Sequence, residues 1–462
     1  MSSGAQASSA TPSGLVSSWG NLLRKPHALY DMRSRHDAFP RVPPGETVVP
    51  YGNGRSYGDS CLNIGGGVVR TRALDRFIQF DATLGVLSCE AGVLLEEILR
   101  IVVPQGWFLP VVPGTAQVTV GGAIANDVHG KNHHRAGTFG CHVRQFELLR
   151  SDGTRITCSP LENPDWFSAT IGGLGLTGLV TWAQLQLRSV AGPAMHVEKE
   201  RFGDLGAFFA LSEQADREHE YTVAWIDCLG RGKHLGRGVM QRANHEPWSS
   251  ALPPSKPATG AGPLPPPFHG ASRLRSIPFV PPVSLVNAAS LRLFNTTYYH
   301  LEGRHKGETR EDYTRFLFPL DSIRNWNRMY GSRGFLQYQC VVPARAARRA
   351  VEELLESIAA SGLGSFLAVL KRFGAARSPG MLSFPMEGVT LALDFPNSAE
   401  AVRLFDRLNS IVSAAGGRLY PAKDARMPGI LFRSGYPQWQ AFTRFIDPAC
   451  SSSLWRRVME GA

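Results

Sequence analysis

Three stretches between residues 52 and 134 carry the residue types on which ligand chemistry could be built. Gly52-Asn53-Gly54-Arg55-Ser56-Tyr57-Gly58-Asp59 reads as a glycine-rich turn between strands. Such turns expose consecutive backbone N–H groups, which can nest a pyrophosphate without a helix dipole. Pro113-Gly114-Thr115, followed by Val118-Thr119 and Gly121-Gly122, offers a second surface of the same kind. Asn126-Asp127-Val128-His129-Gly130-Lys131-Asn132-His133-His134 is the densest polar run in the chain. Any one of the three is better explained as a tight turn. All three together describe a ligand cradle.

The histidines invite a metal reading, because His129 and His133 at i, i+4 could share a helix face. Gly130, Asn132 and the lack of apolar periodicity argue against a helix there, and no third and fourth ligand stands nearby. The expectation is no metal, and a histidine in a hydrogen-bond network or beside a redox ring. Gly173-Leu174-Gly175-Leu176-Thr177-Gly178 is a literal G-x-G-x-x-G. A dinucleotide fingerprint follows a strand and opens a helix. Here the helix-like DWFSATIG precedes the glycines and the strand-like LVTWAQLQL follows them. The glycines are expected instead to let a backbone turn approach a ligand closely.

The elements that must position these residues change character along the chain. In the first third, residues 46–70 read as strand, turn and strand. FIQFDATLGVLSCEAG and VRQFELLRSDGTRITCS read as hairpins turning at Leu84-Gly85 and Asp152-Gly153. Leu94, Leu95, Ile98 and Val102 share one face of a short helix that Pro104 ends, and residues 179–190 alternate as a half-buried strand. From about residue 195 longer strands (YTVAWIDC, GFLQYQCVV, SFLAVLKRFG, VTLALDFP) alternate with helices such as ARAARRAVEELLESIAASG, the pattern of an antiparallel sheet covered by helices. Residues 247–282 hold eleven of the 32 prolines; such a stretch cannot pair as a strand and is expected to be a linker or lid. Residues 1–14 are expected to be disordered, and RLYPAKDARM to begin a return to the first domain.

Composition narrows the function classes. The 43% hydrophobic content is enough for real cores. The net charge of +11 is scattered without a block of Lys/Arg, which argues against nucleic acid. Seven cysteines without a C-x-x-C describe reduced, buried side chains rather than a disulfide framework. No secretory signal and no 18-residue apolar run is visible.

GNGRSYGD, VPGTAQVTVGGAIANDVHGKNHH, GGLGLTG, GFLQYQ and RLYPAKD together resemble the decaprenylphosphoryl-ribose 2-oxidase branch of the vanillyl-alcohol oxidase (PCMH-type) FAD family. The similarity runs from about Trp19 to the C-terminus. It implies an α+β fold: a PCMH-type FAD-binding domain of two small α+β parts (15–194), an antiparallel-sheet substrate domain covered by helices (195–415), and a C-terminal return (416–462) completing the FAD site. By the same resemblance residues 52–58 and 113–122 cradle FAD, joined by Asn126, His129, Gly130, Gly173, Gly175, Gly178, Tyr420 and Ala422. Tyr57, His129, Lys131 and Lys423 would sit at flavin and substrate, with Trp225, Gln337, Gln339, Lys371 and Lys423 contacting substrate. Many relatives bind FAD through a histidine in G-x-x-H-S; Arg55 stands at that position, which implies non-covalent FAD.

The implied reaction is oxidation of the 2-hydroxyl of a polyprenyl-phosphoryl ribose to the 2-keto sugar. A separate NADH-dependent short-chain reductase would then complete epimerisation to the arabinose form for cell-envelope glycan. The expected location is cytoplasmic or peripheral on the inner membrane, with a periplasmic one as the alternative. Two other readings stay open at this point: a sugar or alditol oxidase on a soluble substrate, and a carbohydrate- or lipid-binding protein without FAD.

Overall fold

Short alternating strands cannot bury both faces alone, so the first third of the chain folds as two small sheets around shared apolar layers. The computed structural model describes residues 11–246, 275–302 and 307–460. Its first sheet runs Thr11–Val16, Lys25–Asp31, Gly67–Arg70, Val48–Tyr51. Val48–Tyr51 and Gly67–Arg70 are parallel. The expected simple turn within residues 46–70 is thereby corrected: parallel neighbours need a crossover, which residues 52–66 supply. The expectation of disorder through residue 14 is corrected from Thr11, where the strand Thr11–Val16 pairs antiparallel with Lys25–Asp31. Residues 1–10 lie outside the described residues.

The second sheet is antiparallel, ordered Phe77–Asp81, Val86–Glu90, Leu179–Gln186, Val143–Leu149, Arg155–Cys158. Both hairpins read from the sequence are present, and Gly85 and Gly153 take the positive φ (64° and 86°) that their turns require. Leu179–Gln186 alternates buried and half-buried along its whole length. The helix Leu95–Val102 turns Leu95, Ile98, Leu99 and Val102 into a core shared with Leu87, Phe146 and Ala183.

The second domain is one antiparallel sheet of eight strands. Their order is Gly307–Asp312, Ala194–Phe202, Gly238–His245, Tyr221–Ile226, Val369–Phe373, Gly388–Pro396, Phe335–Pro343, Arg418–Leu419. The helices Leu205–Glu218, Ala347–Ser361 and Ala399–Ala414 cover one face, packing on Ala224, Ile226, Leu336, Tyr338, Leu370, Leu391 and Leu393. Successive side chains on a strand point to opposite faces. Trp225, Gln337, Gln339, Lys371, Ala392 and Asp394 therefore all belong to the other face. That face meets the first domain.

Of the proline-rich stretch, residues 247–274 lie outside the described residues. Arg275–Ser276 pairs in parallel with Ile323–Arg324, which corrects the expectation that no part of the stretch would pair as a strand. Among the described residues no helix is long and apolar enough to cross a membrane.

The C-terminal return serves both domains. Arg418–Leu419 extends the eight-stranded sheet, and Leu431 and Phe432 of helix Gly429–Gly435 enter its core. The chain then returns to the first sheet, where the Val48 N–H donates to the Ala449 carbonyl at 2.8 Å. Arg457, on helix Ser453–Met459, donates two bonds to Asp59 (2.8 and 3.0 Å) and one to Asp424 (2.9 Å). Burial raises the Asp59 carboxyl above its usual range, and Arg457 opposes that shift. Removing one partner of a buried ion pair typically costs ~3–5 kcal/mol. Arg457→Ala is expected to destabilise the protein on that scale in a denaturant titration, and an unchanged midpoint would show that water replaces the guanidinium.

Candidate functional site

A cavity of about 1190 Å³ lies between the uncovered face of the eight-stranded sheet and the glycine-rich loops. Ordinary small-molecule clefts hold ~300–1,000 Å³. The cavity is large enough for a long cofactor and a second ligand.

One wall is the 52–59 loop, gripped on both sides. The Trp19 and Tyr57 N–H groups donate to the Ser56 and Ala422 carbonyls at 2.8 and 2.9 Å. A Cβ on Gly58 would overlap the Asp424 carbonyl oxygen, so glycine alone lets the two loops touch. Arg55 lies over the Trp19 ring, 4.2 Å from its centre. The second wall starts at Pro113 and ends in helix Val120–Ala125, whose N-cap Thr119 accepts from the Gly122 N–H at 3.1 Å. No apolar periodicity announces this short helix. Gly175 and Gly178, at φ of 76° and 134°, turn the 172–178 loop against the cavity. That loop follows helix Pro164–Thr170 and precedes Leu179–Gln186, so it is not a dinucleotide fingerprint.

The polar run 126–134 is wedged between the domains. The Lys131 carbonyl accepts from the Thr222 N–H at 2.9 Å, and Tyr420 donates its hydroxyl to the Asn126 carbonyl at 2.9 Å. Asp127 is structural: its buried carboxylate accepts from Gly140, Ser378 and Ser383. The expectation against any helix here is corrected at His133–Ala136, a single turn. The three histidines serve separate purposes. His129 shares its Nε2 with the Gln339 amide at 3.0 Å, His133 packs on Phe373, and His134 bonds the His219 carbonyl. Burial, with Lys371, His133 and Lys423 adding, holds His129 well below its usual range, so it is neutral at pH 7. Among the described residues, the metal-type cluster is His196, Glu198 and Glu308, none of which lines the cavity. Glu198 already pairs with His219 and Arg242.

Strand pairing explains the rest of the wall, because directly paired residues share a face. Trp225 pairs with Val369, Val369 with Ala392, and Ala392 with Gln339. One step further, Gln337 pairs with Asp394 and donates to its Oδ1 at 2.6 Å. Three lysines line the cavity. Burial pushes Lys371 down to about 8. Burial and Lys371 push Lys131 down to about 7, with Glu311 opposing; Lys131 donates to the Phe316 carbonyl. Burial lowers Lys423 too; Asp394 opposes this and Lys371 adds to it. The Lys423 Nζ sits 3.5 Å from the Tyr57 ring centre. Aromatic side chains line it too: Tyr298 packs 4.6 Å from Trp225 and Phe294 packs 4.9 Å from Phe366.

The structure thus brings almost every residue singled out from the sequence to one cavity. Gly58 and Gly173 are the corrections. Neither lines it: Gly58 packs on Asp424, and Gly173 on the Ala169 carbonyl and Phe442. Sequence reasoning missed Asp394, Lys199 and the aromatic wall. A charge inside VTLALDFP, in phase with Ala392 and out of phase with the core leucines, was a usable signal for Asp394.

The cavity's donors test whether a phosphate-bearing cofactor fits. The amide N–H groups of Asn53, Gly54 and Arg55, and of Gly114 and Thr115, donate to no described residue. The Arg55 Nε is buried without a partner, and open space lies where a Cβ of Gly114 would stand. A buried donor such as the Arg55 Nε is costly to leave unpaired. This donor set suits an anionic group lying against the backbone, and FAD fits it.

Comparisons with known proteins agree. The family described as FAD binding domain matches residues 44–159. Decaprenylphosphoryl-beta-D-ribose oxidase of Mycolicibacterium smegmatis is 36% identical over 421 residues, covering 90% of this chain and 89% of that protein. An uncharacterised Streptomyces coelicolor protein is 36% identical over 375 residues, 79% of this chain and all of its own length. Cytokinin dehydrogenase 8 of Oryza sativa subsp. indica is 31% identical over 198 residues, 39% of this chain and 37% of its own. The matched glycines make a direct test. Gly58→Ala is expected to yield folded protein with little FAD, read as the ratio of 450 to 280 nm absorbance after gel filtration; full retention would mean the Asp424 loop simply moves aside.

Proposed function

The chain belongs to the PCMH-type family of FAD-dependent oxidoreductases that includes decaprenylphosphoryl-beta-D-ribose oxidase, and we propose that it oxidises the 2-hydroxyl of a polyprenyl-phosphoryl ribose to the 2-keto sugar. The observation that carries the substrate class is the cavity's mixed lining. Lys131, Lys371 and Lys423 suit a phosphate, while Trp225, Tyr298, Phe294 and Phe366 suit an isoprenoid chain.

FAD, when bound, supplies the acceptor for the hydride that leaves the carbinol carbon. The chain's own residues do the rest. Lys131 and Lys371 hold the phosphate, and Gln337 and Gln339 face the sugar. The hydroxyl proton has three candidate acceptors in Tyr57, His129 and Lys423. Burial, with Asp394 and Asp321 adding, holds the Tyr57 hydroxyl well above its usual range, so a phenolate is not at hand. The His129 lone pair is engaged by Gln339. Lys423, whose pKa burial lowers toward neutrality, is the acceptor we assign. Arg55 at the position of the usual histidine leaves FAD without a covalent bond. An NADH-dependent short-chain reductase would consume the keto product and complete epimerisation.

Anaerobic mixing with a prenyl-phosphoryl ribose is expected to bleach the flavin absorbance, and acid precipitation of the same sample to leave intact FAD in solution. Lys423→Ala should keep FAD yet lose ~10²–10³ in turnover. No bleaching, with peroxide formed from a soluble sugar or alditol instead, would replace the lipid substrate with a soluble one.

A prenyl chain buries ~0.8 kcal/mol per CH₂ in the bilayer, so the enzyme must come to the lipid. The docking surface is the exposed apolar set Phe279, Val283, Leu285 and Leu293, continuous with the cavity through Phe294. Its location follows as peripheral on the inner membrane. Combined Phe279→Glu, Val283→Glu and Leu293→Glu should abolish co-sedimentation with anionic liposomes, and salt should weaken the parent's binding. Binding that survives the substitutions would move the contact to another surface.

A further inference from the structure

Gln339, on strand Phe335–Pro343, is a buried amide of the cavity wall whose nitrogen is wholly engaged by the protein. A primary amide offers two N–H donors and one carbonyl oxygen. One N–H is donated to the Nε2 of His129 at 3.0 Å and the other to the Thr390 Oγ1 at 3.4 Å. Gln339, His129 and Thr390 are 6%, 8% and 1% exposed, so the whole arrangement is shielded from solvent. The nitrogen and oxygen of such an amide exchange places on a half-turn, and the surrounding network decides between the two orientations. Thr390, on strand Gly388–Pro396, commits its hydroxyl proton to the Cys340 carbonyl at 2.8 Å. Its oxygen can then only accept from Gln339, so the amide nitrogen has to face it. That orientation leaves His129 a single tautomer, with the lone pair on Nε2 and the proton on Nδ1. The Gln339 Oε1 remains. Among the described residues none donates to it, and it is not sealed in as the Gln337 Oε1 is.

We propose that Gln339 is a specificity-determining residue: His129 and Thr390 fix its amide with Oε1 toward the ligand, and Oε1 accepts a hydrogen bond from a hydroxyl of the bound sugar. Thr390, which does not line the cavity, acts through Gln339 as a positioning residue. With both N–H groups spent, the amide has only lone pairs to offer. A hydroxyl can donate to them. A phosphate oxygen or a keto group would set lone pair against lone pair, and a site built for one partner rejects a ligand that leaves it unpaired. Gln339 therefore complements the three lysines of the cavity, which offer only protons. The identity of the ligand rests on the substrate proposed above, whereas the orientation of the amide does not.

Two measurements test this. In FAD-loaded enzyme carrying nitrogen-15 histidine, the His129 signals are identified by their loss in His129→Gln. They should show a proton-free, pyridine-type Nε2 and a protonated Nδ1. A proton on Nε2 would turn the amide around and overturn the proposal. The second measurement uses dithionite-reduced holoenzyme, which cannot oxidise its ligand. It is titrated with a prenyl-phosphoryl ribose and with the 2-, 3- and 5-deoxy analogues, read by quenching of tryptophan fluorescence. The parent should bind one of the three analogues roughly tenfold more weakly than the ribose, the loss of a single hydrogen bond. Gln339→Leu should bind the ribose itself about that much more weakly and no longer distinguish that analogue. Thr390→Val, which keeps the shape but frees the amide to turn, should narrow the same discrimination while FAD content stays normal. Discrimination that survives intact in both variants would overturn the proposal and leave Gln339 a packing residue. The histidine spectrum needs no substrate. A parent that shows the proton-free Nε2 but binds no prenyl-phosphoryl ribose would reject the sugar and keep the acceptor-only amide.

Discussion

Like charge gathered in one half-buried cavity is the constraint around which this molecule is arranged. At an effective dielectric near 20, two unit charges ~4 Å apart still interact by ~4 kcal/mol. Lys131, Lys371 and Lys423 line one cavity, where burial lowers the proton affinity of all three and Lys371 lowers that of the other two further. Glu311 opposes the shift of Lys131 and Asp394 that of Lys423. Such an excess is tolerable because a ligand with its own anionic groups completes the site. The open backbone donors of the glycine-rich loops extend the same logic along the cavity, where N–H groups wait on an anion instead of a carbonyl.

The pleat of the eight-stranded sheet makes that arrangement possible. One face is given to leucines and helices, and the alternate residues come free for chemistry on four adjacent strands at once. Trp225 and Gln339 arrive in one row through Val369 and Ala392 because their strands pair in register, not because they are near in sequence. A slip of one residue in any strand would send its functional side chain into the core beneath. Register thus couples stability to function.

Much of this was legible in the sequence. The hairpins at Leu84-Gly85 and Asp152-Gly153, the half-buried strand from Leu179 and the helix from Leu95 follow from periodicity and turn chemistry. The glycine-rich loops were visible as a cradle because glycine in such density is costly unless the backbone needs it. Other features depend on contacts across long separations and were not legible. The parallel pairing of Val48–Tyr51 with Gly67–Arg70 cannot be told locally from a turn. Gly58 and Gly173 belong to the same motifs as their neighbours, yet their missing side chains make room for Asp424 and Phe442, distant in the chain. Asp394 meets Gln337 only through the pairing of two strands far apart in the chain.

The Arg457 clasp has a consequence for biosynthesis. It joins Asp59, near one end of the chain, to Asp424 and Met427, near the other. At ~5–20 residues per second, the ribosome needs roughly 20–80 s to travel from residue 59 to residue 457. Throughout that interval the first glycine-rich loop has no partner for its carboxylate and lacks the 422–424 segment against which it folds. The cofactor cradle is therefore assembled after translation of nearly the whole chain. Flavin loading then doubles as a report that synthesis has passed residue 457, and chains terminated before it would emerge colourless.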